Sequence, residues 1–180
     1  MFDVGQVKQK MNEVVERFKG EMNKVRTGRA HPDMLGGVKV EAYGQWLPLN
    51  QVANVVVGDA TMLMVTPFDP ATIAKIAEAI RADQALGLNP ADDGRVVRVP
   101  IPALTEERRR EIVKHASAKV EEAKIGIRNA REDGRKEIKA LELAEDAKKR
   151  AEKDVDDLTK EYTGKIEDLF KIKEAEVMKI

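Results

Sequence analysis

The 180-residue sequence contains no cysteine, only two histidines and few aromatic residues, which make up 4% of the chain. The lack of cysteine excludes disulfides, a thiolate nucleophile and thiolate-ligated zinc. No apolar run approaches the ~20 residues that a membrane helix needs, and the N-terminus resembles neither a signal peptide nor a transit peptide. We therefore expect a soluble, cytoplasmic protein that has no membrane partner.

Signatures of catalysis are also missing from the sequence. There is no phosphate-binding GxxxxGK[ST], no GxGxxG, no GxSxG and no HExxH. His31 and His115 lie far apart, and the many carboxylates form no distinctive pair. We predict that the protein is not an enzyme and needs neither metal nor cofactor, so that any nucleotide hydrolysis belongs to a partner. An unrecognised hydrolase is the weakest alternative.

Proline is absent from residues 1–29 and 105–180, whereas all seven prolines fall within 30–104. Proline inside a helix costs ~3 kcal/mol. The distribution therefore predicts a discontinuous helical domain, residues 1–29 and 105–180, with an α+β domain of residues 30–104 inserted into it.

Charge follows a similar division, although 32 basic and 32 acidic side chains cancel overall. The formal charge is +3 over residues 1–29, −3 over 30–104, +3 over 105–139 and −3 over 140–180. A neutral total therefore conceals two basic helical segments that are able to meet an anionic partner.

Apolar residues in steps of three and four predict one amphipathic helix from Val4 to Val25, ending near Gly28. A second helical region begins after Thr105, a suitable N-cap, and keeps one heptad phase from Val113 to Ile172. The periodicity allows one continuous helix, which would need a partner chain, or a hairpin that turns near residues 142–146.

The inserted segment shows strand patterns at residues 38–43, 52–57, 62–66 and 95–99, and a helix pattern after Pro70. Trp46 lies between patterns, where we expect it to pack in the core or a loop. The links at residues 30–32 and 100–102 are short and carry proline, which favours a defined elbow over a loose tether.

A row of basic side chains follows one flank of the second helical region. If Val113 takes heptad position a, the row occupies positions b and e over roughly 37 Å. Its members are Arg110, Lys114, Lys124, Arg128, Arg131 and Arg135. Arginine forks suit phosphate oxygens. The competing interpretation is a solvated face with local ion pairs, such as Glu121 with Lys124.

Arg26 and Arg29 flank the end of the first helix, where they either contact phosphate or compensate the helix dipole; the sequence alone favours the dipole interpretation. The scarcity of aromatics disfavours a single-strand binder that stacks bases. Any nucleic acid bound is therefore expected to be a folded RNA or duplex read through its backbone.

Several strings, in order along nearly the whole chain, resemble the bacterial ribosome recycling factor family. They are KVRTGRAHP at 24–32, YG at 43–44, PLNQVA at 48–53, PFD at 67–69, LGLNP with DG over 86–94, PIPALTEERR at 100–109 and IRNAR at 127–131. The resemblance implies an L-shaped α+β protein in which an elongated three-helix bundle carries a β/α/β domain on a hinge. It favours the hairpin over the continuous helix.

The resemblance also implies the function. Members of the family bind the ribosome near the A and P sites after termination and, with elongation factor G and GTP, separate the subunits. Their bundle arginines contact large-subunit rRNA, which ranks Arg131 first, then Arg128, with Arg26, Arg29 and Arg110 behind; Arg135 and Lys124 rest on the basic row alone. The second domain and the hinge face the elongation factor. The hinge corresponds to Ala30, His31, Pro32, Pro100, Ile101, Pro102, Ala103 and Leu104.

Three positions depart from the family pattern. Glu132 stands where another basic residue is common, which weakens the local positive field. Ala144 replaces a serine that would cap the third helix, and Ala103 replaces a proline at the hinge.

The main alternative function is a coiled-coil interaction or chaperone protein that dimerises through residues 105–180, whereas a recycling factor is expected to be a monomer.

Overall fold

A computed structural model describes residues 1–179, which form two compact units. One unit comprises Met1–Thr27 and the chain from Thr105 onward, and the other comprises Gly28–Leu104. In chain order the elements are α1 (Val4–Asn23), β1 (Lys39–Ala42), β2 (Gln45–Pro48), α2 (Leu49–Val52), β3 (Ala53–Asp59), β4 (Met62–Pro67), α3 (Ile73–Ala82), β5 (Ala91–Asp92), β6 (Val97–Pro100), α4 (Glu106–Ala140) and α5 (Glu145–Met178). The α+β class predicted from the sequence is confirmed.

The first unit is a bundle of α1, α4 and α5, whose apolar faces share one core. That core contains Val7, Met11, Val15, Phe18 and Met22 of α1, Val120, Ile127 and Ile138 of α4, and Val155, Tyr162 and Ile166 of α5. The helix α4 runs antiparallel to both neighbours, because Gly134 faces Val7 near the start of α1 and Arg109 bonds the carbonyl of Val177 near the end of α5.

The helical hairpin replaces the continuous helix that periodicity alone allowed. The corner is Leu141–Ala144, slightly earlier than expected, so that Glu145 and Asp146 lie in the first turn of α5. Their negative charge suits the positive end of the helix dipole there. Ala144 occupies the N-cap, and its methyl side chain cannot accept the capping hydrogen bond that a serine would accept there. Thr105 caps α4 as predicted, since its hydroxyl accepts a hydrogen bond from the amide of Arg108 at 3.1 Å.

The end predicted for the first helix is wrong. The helix α1 ends at Asn23 rather than near Gly28, because the amides of Lys24 and Val25 close a tighter turn onto Glu21 and Met22. Gly28 still adopts a left-handed conformation, with φ of +81°.

The strict heptad fails toward the C-terminal end of each long helix. Ile138 is buried instead of Glu137, Ile166 instead of Lys165, and Ile172 is 59% exposed. A straight α-helix drifts by about 20° per heptad from an ideal seven-residue repeat, so the buried stripe moves on by one residue.

The second unit contains a two-stranded and a four-stranded antiparallel sheet. β1 pairs with β2, and the larger sheet has the order β3-β4-β6-β5. Its buried face carries Leu63, Val65, Val97 and Val99, against which α3 places Ile76 and Ile80. The strand patterns of the sequence correspond to β1, β3, β4 and β6.

Three short elements of the second unit escape the sequence patterns: β2, α2 and β5. Trp46 was expected to pack in the core or a loop, but it lies on β2 opposite Glu41 and is 68% exposed. This expectation is wrong because β1 and β2 form a separate hairpin, whose tight turn at Tyr43-Gly44 has positive φ at both residues.

Within residues 1–179, no helix is long and apolar enough to cross a membrane.

Candidate nucleic-acid interface

The basic row predicted on α4 divides into an exposed part and a part that lies against α5. Arg110, Lys114 and Arg128 are exposed, whereas Lys124, Arg131 and Arg135 are partly buried. Because α5 packs along α4 and belongs to the acidic part of the chain, its carboxylates reach the second group. The row is therefore neither a free cationic stripe nor a face of purely local ion pairs.

The densest contact joins Arg131 and Arg135 to Asp156 of α5. Nε of Arg131 donates to Oδ1 of Asp156 at 2.9 Å. Nη2 of Arg135 donates to Oδ1 at 3.1 Å and to Oδ2 at 2.8 Å. The two arginines are one helical turn apart, so both guanidinium groups reach the same carboxylate on the neighbouring helix. This arrangement is called the Asp156 bridge below.

Solvent still reaches the Asp156 bridge. The side chains of Arg131, Arg135 and Asp156 are 31%, 33% and 36% exposed. The hydrogen bond from Arg131 is the main cause that lowers the pKa of Asp156 below its ordinary value of 3.8; partial burial opposes it, and Arg135 adds to the lowering. Asp156 is therefore ionised at neutral pH and keeps both guanidinium groups oriented.

A second interhelical ion pair joins Lys124 to Glu167 of α5 at 2.9 Å. The expected local partner of Lys124 was Glu121, and this expectation is wrong because Lys124 leans toward α5. The hydrogen bond from Lys124 lowers the pKa of Glu167. Lys124 is thus engaged within the bundle more fully than the outer members of the row.

Arg128 is the exposed arginine of the IRNAR string and has no ion pair or hydrogen bond to the side chains described in residues 1–179. Its neighbour Arg131 also contacts Glu132, with Nη1 and Oε1 3.0 Å apart. Arg110 pairs with Glu106 one turn earlier, and both side chains are more than 70% exposed. Exposed pairs of this kind contribute little to stability, so phosphate can compete for Arg110 at low cost.

Arg26 and Arg29 are placed in different units. Arg26 follows α1 in the bundle, and its buried Nε lacks a hydrogen-bond partner among the described residues. Arg29 belongs to the second unit, where it is exposed.

Several residues assigned to the hinge are fixed inside the second unit. The amides of Ala30 and Ile101 donate to the carbonyls of Ala60 and Thr61, at 2.8 and 2.7 Å, in the turn between β3 and β4. Both side chains are buried in the core of that unit. Pro100 ends β6.

The neighbouring hinge positions differ in their hydrogen bonds and in their exposure to solvent. His31 caps a short 3₁₀ turn over Pro32–Leu35, because its Nδ1 accepts from the amide of Asp33. Pro102 and Ala103 are exposed, whereas Leu104 is partly buried.

The chemistry of the α4 face is that of an anion-binding surface. Guanidinium groups with unused N–H donors suit phosphate oxygens, which accept bidentate hydrogen bonds. Across residues 1–179, no group of three His, Asp or Glu side chains is placed to hold a metal ion.

Sequence reasoning did not find Asp156 and Glu167. The acidic character of residues 140–180 was the available signal, but choosing these two carboxylates requires the register between α4 and α5.

The family assignment follows from comparison with known proteins. The sequence model described as ribosome recycling factor matches residues 18–178. The chain belongs to the ribosome recycling factor family. The ribosome-recycling factor of Burkholderia cenocepacia (strain HI2424) is 45% identical over 178 residues, covering 97% of this chain and 95% of the relative. That of Burkholderia mallei (strain SAVP1) is 43% identical with the same coverage.

Solved structures of ribosome recycling factors support the same assignment. A solution structure of a ribosome recycling factor is 36% identical, with a TM-score of 0.73, and the match covers 98% of this chain and 95% of that one. A second match has 37% identity, a TM-score of 0.60 and coverage of 98% and 97%. It represents models of the T. thermophilus ribosome recycling factor and the E. coli elongation factor G bound to the E. coli post-termination complex. The family resemblance noted in the sequence is thereby confirmed.

Proposed function

We propose that this chain binds the post-termination ribosome and, with elongation factor G, promotes dissociation of the subunits for a new round of translation. Membership of the ribosome recycling factor family supports this function, as does the similarity to a recycling factor placed with elongation factor G on a post-termination complex. GTP hydrolysis belongs to the elongation factor. The chain itself acts without catalysis, and it acts in the cytoplasm, where the ribosomes are.

The arginine face of α4 is the surface that we assign to large-subunit rRNA near the A and P sites. The observation that carries this assignment is the cluster of Arg128, Arg131 and Arg135 on consecutive turns of one helix, with the last two oriented by Asp156. Phosphate contacts from arginine position a protein on RNA without reading its sequence. Arg128 and Arg131 carry the main contact, and Arg110, Lys124, Arg26 and Arg29 have smaller roles.

The hinge is proposed to flex just before Ala30 and just after Ile101, since these two residues are fixed in the second unit. Their amide hydrogen bonds to the β3–β4 turn support this choice, because a residue bonded within a sheet unit moves with it. Bending then falls on Thr27–Arg29 and Pro102–Leu104. Solution scattering on the free protein tests the idea: a range of interdomain arrangements agrees with it, and a single fixed arrangement contradicts it.

The chain is proposed to act as a monomer. The helices α1 and α5 cover the apolar seam of α4 within one chain, so no second chain is required. Light scattering distinguishes this state from the coiled-coil dimer: a mass near 20.1 kDa agrees with the monomer, and twice that mass favours the alternative interaction protein.

Subunit splitting with purified components tests the function itself. Post-termination ribosomes are mixed with the chain, elongation factor G and GTP, and separation of the subunits is followed by light scattering. We expect splitting only when all three are present. Omission of the elongation factor, or replacement of GTP by a non-hydrolysable analogue, serves as the control. Splitting by the chain alone would contradict the proposed dependence on the partner.

A further inference from the structure

The Asp156 bridge places one carboxylate between two arginines of the face assigned to rRNA. We propose that Asp156 is a positioning residue for this contact: it holds Arg131 and Arg135 so that their unused N–H groups meet phosphate oxygens. This inference rests on the proposed function, because it concerns the same surface. It adds a residue on α5 to a surface otherwise built from α4.

The donor count shows that the bridge leaves the arginines able to bind phosphate. A guanidinium group carries five N–H donors in a rigid fork. Arg131 uses its Nε toward Asp156 and its Nη1 toward Glu132, and Arg135 uses its Nη2 toward Asp156. Donors of both groups remain, so Asp156 orients the forks without saturating them.

The surroundings of Arg135 show why its orientation depends on Asp156. Its Nε is buried and has no acceptor among residues 1–179. Water cannot hydrogen-bond this buried Nε, so partial burial of the guanidinium group costs free energy. The hydrogen bonds to Asp156 offset that cost. Without the carboxylate we expect the side chain to leave this orientation and sample rotamers in solvent.

Positioning and simple charge counting predict opposite results when Asp156 is neutralised. Removing a negative charge beside two arginines raises the local potential, which by itself strengthens the attraction of phosphate. Loss of the bridge releases two flexible side chains that must be ordered again on binding, which weakens the contact. We expect the second effect to dominate, because both arginines lose their shared partner together. Arg128, which lies outside the bridge, should be unaffected.

The test uses Asp156→Asn, which removes the charge and keeps the shape. The matched control is Glu167→Gln, which breaks the other described α4–α5 ion pair, that of Lys124. Affinity for purified large subunits is measured at several salt concentrations, together with thermal unfolding of each variant. Positioning predicts an affinity for Asp156→Asn that is lower by about five- to tenfold at moderate salt, the size of coupling typical within one polar network. The control should lose less than about twofold.

A double-mutant cycle separates positioning from a merely structural role. In a chain that already carries Arg131→Ala and Arg135→Ala, Asp156 has no arginine left to orient. Positioning predicts that adding Asp156→Asn to this background changes the affinity no further. A loss as large as in the wild-type background would overturn the inference, as would unchanged or tighter binding by the single variant. If Asp156→Asn does not fold, Asp156→Ala, which also removes the carboxylate that Arg131 and Arg135 share, replaces it in the same cycle and is judged by the same criteria.

The variants also show which proposal fails. If Arg131→Ala binds large subunits as wild type does, the α4 face is not the docking surface, and both proposals fall. If Arg131→Ala is defective while Asp156→Asn is normal, the docking surface stands and only the positioning role is wrong.

Discussion

Gly134 of α4 lies so close to Val7 of α1 that a Cβ atom on Gly134 would be 2.8 Å from Cγ2 of Val7. Real Cβ atoms do not approach a neighbour this closely, so the two helices are in contact at a point where no side chain fits. The glycine therefore sets how closely α1 approaches α4 at this level of the bundle.

Gly134→Ala should destabilise the bundle even though alanine is the better helix former. Overpacking of a core costs about 1–3 kcal/mol, whereas the gain in helix propensity is at most about 1 kcal/mol. The measurement is the free energy of unfolding in urea. Gly164→Ala in α5 is the matched control, because no described atom lies within 4 Å of its Cβ position apart from the adjacent residues and the backbone of its own helix. This change should stabilise by about 0.5–1 kcal/mol. An equal, stabilising effect of both changes would contradict the close contact.

Arg109→Ala should loosen the end of α5. Nη1 of Arg109 donates to the carbonyls of Val177 and Lys179, at 2.5 and 2.6 Å. Carbonyl groups at the C-terminal end of a helix have no intrahelical partners, so Arg109 satisfies two of them. Loss of bonds from a charged donor costs about 1.5–3 kcal/mol. Amide hydrogen exchange in the last turn of α5 should become faster. Arg108→Ala, whose salt bridge runs to exposed Glu111 on the same helix, should leave that exchange unchanged.

The stability added by Asp156 should depend on pH in a defined direction. The bonds from Arg131 and Arg135 lower the pKa of Asp156 below 3.8 in the folded state. A lowered carboxyl pKa contributes stability above the unfolded-state value, and this contribution is lost as the pH falls through the folded-state value.

We therefore expect the difference in unfolding free energy between wild type and Asp156→Asn to be constant near neutral pH and to shrink below about pH 4. Urea denaturation of both proteins across this range measures the difference, and subtraction removes the titration of carboxylates common to both. A difference that grows toward low pH would mean that the carboxylate is not stabilised by the two arginines.

Arg128→Ala should weaken binding to large subunits without changing stability. Its side chain is exposed and makes no ion pair with the described residues, so folding does not depend on it. A lost phosphate contact reduces the slope of log affinity against log salt by about one. Titrations at four or more salt concentrations give this slope. Lys149→Ala on α5 should leave this slope unchanged, because Lys149 is exposed and its one ion pair with the residues described is to Glu145.

Much of the fold was predictable, because proline placement and apolar periodicity are local signals. Thr105 marked the start of α4 by its capping chemistry alone. The corner at Leu141–Ala144 was harder to place, since it contains neither glycine nor proline and the apolar pattern continues through it. β2 and β5 are short, and their pairing partners rather than their own side chains make them strands.

The arginines of the candidate site were predictable from the sequence, but the carboxylate that binds them was not. The row on α4 followed from heptad positions, so Arg128, Arg131 and Arg135 were found. Asp156 was not, because it lies 25 residues from Arg131 in the chain and reaches it only through the packing of α5 on α4. Which basic side chains are engaged and which are free is therefore tertiary information.

Subunit splitting by Arg131→Ala is the most direct test of the central claim, that the arginine face of α4 docks the protein on the ribosome. The variant should fold normally, because Arg135 still pairs with Asp156 through two hydrogen bonds. With elongation factor G and GTP at moderate salt, we expect the rate of splitting to fall sharply relative to wild type and to Lys149→Ala. Splitting and ribosome affinity equal to those of wild type, in a variant of normal stability, would contradict the claim.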